Sequence, residues 1–295
     1  MFRSGFVSII GRPNVGKSTL LNRLIGEKMA IISEKPQTTR NKITCILTTD
    51  EMQVVFLDTP GMHRPQHKLG EYMVKVSLNA LREVDIIFLV VDATYPPGRG
   101  DEYIVEQLRE VQTPVFLIIN KIDQIKKDKL DIIKKQYQAL CNFAEVICIS
   151  ALQGDNLVDV LDMLAEYLPE GVQYYPEDMI TDQPERFVVS ELVREKILEL
   201  TREEVPHSVA VEVEEMKKRE NKDMIYISAT IFVERQSQKG IVVGKGGKLL
   251  KEIGVKARQD IENLLGSKVY LELWVKVKKD WRNKKEQLKN LGYSD

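Results

Sequence analysis

No stretch of this 295-residue chain is long, apolar and uncharged enough to span a membrane; the longest apolar run, 86–91, has the length of a strand, against the ~18 residues a spanning helix needs. Cysteine is scarce. Cys45, Cys141 and Cys148 include no C-x-x-C pair and cannot all pair with one another, which speaks against a disulfide framework and for a reducing cytoplasm. Histidine is equally scarce: His63 and His67 stand four apart, but no third ligand is in view and zinc is not expected. The opening residues, MFRSGFVSIIGRP, lack the layout of a signal peptide, because the short apolar stretch runs straight into a glycine motif. Net charge is nearly absent too, at −1, but this balance hides an asymmetry. Residues 1–184 hold 20 basic against 25 acidic side chains, whereas 235–289 hold 15 against 6. A near-neutral chain with one basic stretch points to a polyanionic partner for that stretch.

What is present reads as two domains. Runs rich in β-formers at 6–10, 44–49, 52–57, 86–91, 115–119 and 145–149 alternate with amphipathic stretches at 17–25, 69–82, 102–110, 129–140 and 157–168. That alternation predicts a doubly wound sheet. Runs 44–49 and 52–57 are only two residues apart, which is hairpin spacing, so one antiparallel strand is expected in a sheet otherwise parallel. Proline, glycine and acids crowd 169–184 and read as a linker. Beyond it the order changes to a helix (185–200), strands at 208–216 and 224–234, a glycine-punctuated helical region (237–265) and a last strand at 269–277. The expected layout is an α/β domain over 1–173, a linker at 174–184, and an α+β domain over 185–295 ending in a charged tail.

The first chemistry-bearing motif is Gly11-Arg12-Pro13-Asn14-Val15-Gly16-Lys17-Ser18, which fits G-x-x-x-x-G-K-[ST] and lies between a predicted strand and helix, as a phosphate loop must. Glycines let the loop curl so that backbone N–H groups point at phosphate oxygens, and the helix N-terminus adds positive potential. Lys17 can reach the β- and γ-phosphates, and Ser18, followed by Thr19, offers a hydroxyl to Mg²⁺. Asp58-Thr59-Pro60-Gly61 follows the third strand, where the carboxylate can serve Mg²⁺ and the Gly61 N–H the γ-phosphate. Asn120-Lys121-Ile122-Asp123 and Ser150-Ala151-Leu152 end the fifth and sixth strands. A carboxylate such as Asp123 accepts from guanine N1–H and its exocyclic amine, whereas adenine would leave it buried and unpaired. Asn120 can bond neighbouring loops and the base edge, the Lys121 stem can cover the ring, and the Ala151 N–H can reach guanine O6.

The order GRPNVGKS, PQTTR, DTPG, NKID, SAL resembles the translation-factor-related GTPases, and the Era family most of all. The resemblance implies a P-loop GTPase domain that hydrolyses GTP to GDP and phosphate, with Lys17, Thr39 and Gly61 at the reacting end and Mg²⁺ held by Ser18, Thr39 and Asp58. Alignment to the shorter G-x-T form of the first switch puts the ligand at Thr39 rather than Thr38. One departure from the Ras-like pattern is Met62, which stands where a glutamine would orient water; a thioether is poorly suited to that task. Asn14 resembles an asparagine that helps hold K⁺ in relatives. The alternative, a turn-forming Asn without an ion, stays open. Cys141 and Cys148 flank a predicted strand and read as core filler.

In the second domain, Gly244-Lys245-Gly246-Gly247 is a G-x-x-G between helical segments beside a three-stranded sheet, which describes a KH domain with its extra helix at the N-terminus (type II). There the glycines let an RNA backbone approach, Lys245 and Lys248 attract phosphate, and Ile241, Val242 and Val243 are expected to line the groove floor. TREEVPHS, IVVGKGGKLLKEIG and YLELWVKV also look like the Era family, so the resemblance covers nearly the whole chain. It implies binding to the 3′ end of 16S rRNA during assembly of the small ribosomal subunit, by a cytoplasmic monomer, with peripheral contact at the inner face of the cell membrane left open. The basic run Trp281–Lys285 is open between an RNA surface and a solvated face. Two rivals remain: a GTPase associated with RNA modification, although no catalytic Cys or folate-type domain is visible, and a non-enzymatic, GTP-dependent scaffold whose KH fold binds protein.

Overall fold

In the computed structural model, residues 1–293 are described except for 34, 36, 63, 64, 66, 83 and 219–223. The apolar runs of the first half become strands β1 (Arg3–Ile10), β2 (Ile43–Thr48), β3 (Met52–Asp58), β4 (Ile86–Asp92), β5 (Val115–Asn120) and β6 (Glu145–Cys148). Between them lie helices α1 (Lys17–Ile25), α2 (Lys68–Asn79), α3 (Arg99–Leu108), α4 (Lys127–Gln138) and α5 (Leu157–Tyr167). The strands form one sheet in the order β2-β3-β1-β4-β5-β6, with β2 antiparallel to β3 and the others parallel. The β2–β3 hairpin appears where its spacing predicts, its turn closed by Thr49 Oγ1 accepting from the Met52 N–H at 3.1 Å. β3, β4 and β5 are buried along their whole length, as strands covered on both faces are.

Two compact units make up the chain. The first comprises Met1–Ile32, Thr39–Gln66 and Gly70–Asp182; the second comprises Ser33–Thr38, His67–Leu69 and Gln183–Asp295. The stretch read as a linker is therefore largely part of the first unit. Gln53, fully buried on β3, accepts from the Tyr174 and Tyr175 N–H groups at 2.7 and 3.0 Å and donates to Tyr175 O at 2.9 Å. Further on, the Ile46 N–H of β2 donates to Ile180 O and Thr181 Oγ1 donates to Thr44 O. This segment satisfies the free edge of β2, which would otherwise offer unpaired backbone groups to another chain.

The second unit continues with α6 (Glu185–Leu200), α7 (Val205–Ser208), β7 (Ala210–Lys218), β8 (Met224–Val233), α8 (Gln236–Val243), α9 (Lys248–Leu265), β9 (Lys268–Val277) and α10 (Lys285–Asn290). Its sheet runs β7-β8-β9, antiparallel then parallel. Val189, Val193 and Ile197 of α6, Val242 of α8 and Ile253, Ala257 and Ile261 of α9 form its core with Ile227 and Ile231 of β8. Ser208, expected in the first strand, instead ends a short helix whose Pro206 sits in the first turn, where a missing N–H costs nothing. The charged tail is also more ordered than its composition suggests. Trp281 is fully buried, donates Nε1–H to Ser208 O at 2.9 Å and stacks on Tyr293, while Arg282 pairs with Glu234 at 2.6 Å. Among the described residues, no helix is long and apolar enough to cross a membrane.

Candidate nucleotide and RNA sites

The loop between β1 and α1 turns through three residues with positive φ: Gly11 (150°), Asn14 (65°) and Gly16 (96°). A Cβ on Gly11 would meet Val90 O at 2.3 Å, and one on Gly16 would meet Asn120 Nδ2 at 2.2 Å, so glycine is required at both for steric and conformational reasons. Lys17 opens α1 and is buried; its Nζ donates to the Gly11 and Arg12 carbonyls at 3.2 and 3.0 Å. Burial lowers its pKa to about 8, against the opposing charge of Asp58. A buried ammonium whose present partners are loop carbonyls is ready to exchange them for phosphate oxygens.

Beside it, three oxygens converge from three separate segments. Ser18 Oγ donates to Asp58 Oδ2 at 2.9 Å, Thr39 Oγ1 donates to the same oxygen at 3.1 Å, and the two hydroxyls are 3.1 Å apart. Asp58 is fully buried, and burial pushes its carboxyl pKa up despite Lys17 and the two hydroxyls; its Oδ1 is buried with no hydrogen-bond partner. Hard oxygen donors around an under-satisfied buried carboxylate suit Mg²⁺. Thr38 Oγ1 donates to Lys35 O at 2.6 Å. Gly61 lies against the P-loop, where a Cβ would come within 2.8 Å of Pro13. Met62 is buried in the apolar core with Ile10 and Leu89, so its side chain handles no water. Thr19 is half-buried in the first turn of α1 and Asn14 is exposed.

The base end is equally interlocked. Asn120, at the tip of β5, accepts from the Lys121 and Ala151 N–H groups at 2.8 and 2.9 Å and donates to Val15 O at 2.8 Å. The Ala151 N–H, expected to reach guanine O6, donates here to Asn120 Oδ1. Ser150 Oγ donates to Asp123 Oδ1 at 2.6 Å and so orients the carboxylate expected to read the base. Lys121, in the left-handed region (φ 68°), donates to Asn14 O at 2.8 Å and to Asp92 at 2.6 Å. Asp92 belongs to none of the sequence motifs; a lone acid closing a strand carries no local pattern.

In the second unit, Gly244, Gly246 and Gly247 all have positive φ, and a Cβ on Gly246 or Gly247 would meet nothing within 4 Å. The G-x-x-G is an open loop with Lys245 and Lys248 exposed at its sides. Next to it runs a groove of about 400 Å³ between α9 and β9, lined by Leu250, Gly254, Val255, Arg258, Tyr270 and Leu271. The expected floor needs correcting. Val242 is fully buried in the core, Val243 packs against that core, and only Ile241 is exposed. Three consecutive helical residues point in directions ~100° apart, so they cannot share one face. His63 of the discounted zinc pair lies outside the described residues; among those described, no cluster of three metal-binding side chains occurs.

A phosphate loop, an oxygen cluster for a divalent ion and a base-reading loop on a mixed six-stranded sheet, followed by a KH fold, define a P-loop GTPase with an RNA-binding type of module. The family model described as 50S ribosome-binding GTPase matches residues 6–121, and the KH domain model matches 204–282. GTPase Era of Alkaliphilus oremlandii (strain OhILAs) is 58% identical over 292 residues, 99% of either chain. The fold matches a crystal structure of an Aquifex aeolicus Era variant bound to GDP·AlF4⁻, at 43% identity and a TM-score of 0.97, over all of both chains. It matches equally Era in complex with MgGDPNP and nucleotides 1506–1542 of 16S ribosomal RNA, again with 43% identity, a TM-score of 0.97 and full coverage of both. The chain belongs to the Era family of GTPases.

Proposed function

We propose that this protein hydrolyses GTP to GDP and phosphate in its first domain and binds the 3′ end of 16S rRNA with its KH domain, in assembly of the small ribosomal subunit. The observation that carries the enzymatic half is the convergence of Ser18, Thr39 and Asp58 oxygens beside the buried Lys17. These three side chains would hold Mg²⁺, which when bound neutralises charge on the phosphate oxygens. The rest follows from the chain's own groups. The P-loop N–H groups and Lys17 bind the phosphates, and Gly61 lies close enough to the P-loop for its backbone to meet the terminal phosphoryl group. Water attacks the γ-phosphorus and the bond to the β–γ bridging oxygen breaks, with positioning and charge stabilisation supplying the acceleration. The buried Met62 side chain does not orient that water; K⁺ held with Asn14 is one means of supplying charge there. For RNA, the open G-x-x-G passes the sugar–phosphate backbone while the α9–β9 groove receives unpaired bases.

The likeness to Era in complex with 16S rRNA nucleotides 1506–1542 supports this choice of RNA. We place the protein in the cytoplasm as a monomer, any membrane contact being peripheral. Crosslinking in cell extract, followed by sequencing of the attached RNA, tests the reading. Recovery of the 16S 3′ end is expected. Recovery of a modification substrate instead, or of protein alone, would favour one of the two rivals.

A further inference from the structure

Asp92 closes β4 and lies opposite Asn120 in the β4–β5 register. It is buried, and both its oxygens are used. Oδ1 accepts from the N–H and Oγ1 of Thr94 at 2.9 and 2.6 Å, and Oδ2 accepts from Lys121 Nζ at 2.6 Å. Burial disfavours its charged form, but the bonds from Lys121 and Thr94 outweigh it and hold the carboxyl below the usual range. The Lys121 ammonium is therefore clamped between a carboxylate and the Asn14 carbonyl of the P-loop. A lysine has four rotatable side-chain bonds and is costly to order. Fixing its far end at two points fixes the aliphatic stem between them.

We propose that Asp92 is a positioning residue for guanine-nucleotide binding. By anchoring Lys121 it holds the lysine stem across the place of the purine ring and ties the base-reading loop to the P-loop. The inference rests on the GTP reading above and extends it to a residue outside every nucleotide motif. The bland alternative is that Asp92 only closes the turn with Thr94. The two roles use different oxygens, so they separate experimentally.

Asp92→Asn keeps an acceptor for Thr94 but removes the charge that faces Lys121. In the full-length protein, GDP and GTP dissociation are measured by stopped flow with fluorescent nucleotide, together with kcat at saturating GTP and the melting temperature. Wild-type protein that fails to bind guanine nucleotides would overturn the GTP reading itself. If it binds, we expect Asp92→Asn to release GDP and GTP faster by the same factor, about tenfold or more for loss of a charged hydrogen bond, with kcat at saturation altered far less than KM. Adding Asp92→Asn to Lys121→Met should then give no further acceleration, because the anchor has nothing left to hold. Wild-type release rates in a folded Asp92→Asn variant, or effects that multiply with those of Lys121→Met, would overturn the positioning role. So would loss confined to Asp92→Ala, which removes the turn acceptor as well.

Discussion

Ser18 Oγ and Thr39 Oγ1 lie 3.1 Å apart, although 21 residues separate them, and both donate to the same oxygen of Asp58. This contact joins the P-loop to the first switch and distinguishes the two adjacent threonines of PQTTR. Thr39→Ala should lower the GTP hydrolysis rate by at least about tenfold and raise the Mg²⁺ concentration needed for half-maximal activity, since a bond to a charged group is worth ~1.5–3 kcal/mol. Thr38→Ala removes bonds to the Lys35 and Ser33 carbonyls and none to Asp58, and should cost far less. Steady-state hydrolysis across an Mg²⁺ titration checks both, and the reverse ranking would move the ligand to Thr38.

The proposed base reader is Asp123, whose carboxylate is oriented by Ser150 at 2.6 Å. Asp123→Asn should weaken GTP binding by two or more orders of magnitude, on the order expected for a site left with unpaired polar groups. The same change should favour xanthosine triphosphate, whose 2-oxo group accepts from the new amide. Competition between the two nucleotides measures the switch. Unchanged GTP affinity would remove Asp123 from the base site.

Gln53 is the internal fastener of the first unit. Its side-chain amide bonds Thr48, Tyr174 and Tyr175 from a fully buried position. Gln53→Leu would bury the two N–H groups without acceptors at a cost of about 1–3 kcal/mol. A lower urea midpoint with the GTP site residues untouched is the expected result. Equal midpoints would mean that the 174–182 segment contributes little to the fold.

Much of this was legible in the sequence. The P-loop, the β2–β3 hairpin and the strand-end positions of Asp58, Asn120 and Ser150 follow from motif and periodicity, because glycine, turn and strand patterns are local. What escaped is non-local. The pairing of 174–181 with β2 and β3 has no periodicity to read, since one buried Gln53 and a few backbone bonds carry it. Trp281 disappears in a charged run, where its indole finds Ser208 only through the tertiary fold. Val242 was misplaced because three consecutive apolar residues do not reveal which one faces the core. Asp92 is a single acid whose meaning depends on Lys121, 29 residues away.

The claim that one chain joins GTP chemistry to RNA recognition is tested most directly at the open G-x-x-G loop. Binding of a single-stranded oligonucleotide with the 16S 3′-terminal sequence is measured for wild type and for a Lys245→Asp, Gly246→Asp double variant. Both positions are exposed, a Cβ at Gly246 would meet nothing within 4 Å, and its left-handed φ of 59° is one that aspartate adopts more readily than most side chains, so the variant should fold and still bind GTP. Wild-type affinity should fall with salt at a slope near −0.7 per neutralised phosphate. The account predicts that the double variant loses most of its RNA affinity, by charge repulsion and by obstruction of the backbone path. Full RNA affinity in a folded, GTP-binding double variant would contradict it and reduce the loop to a connector between α8 and α9.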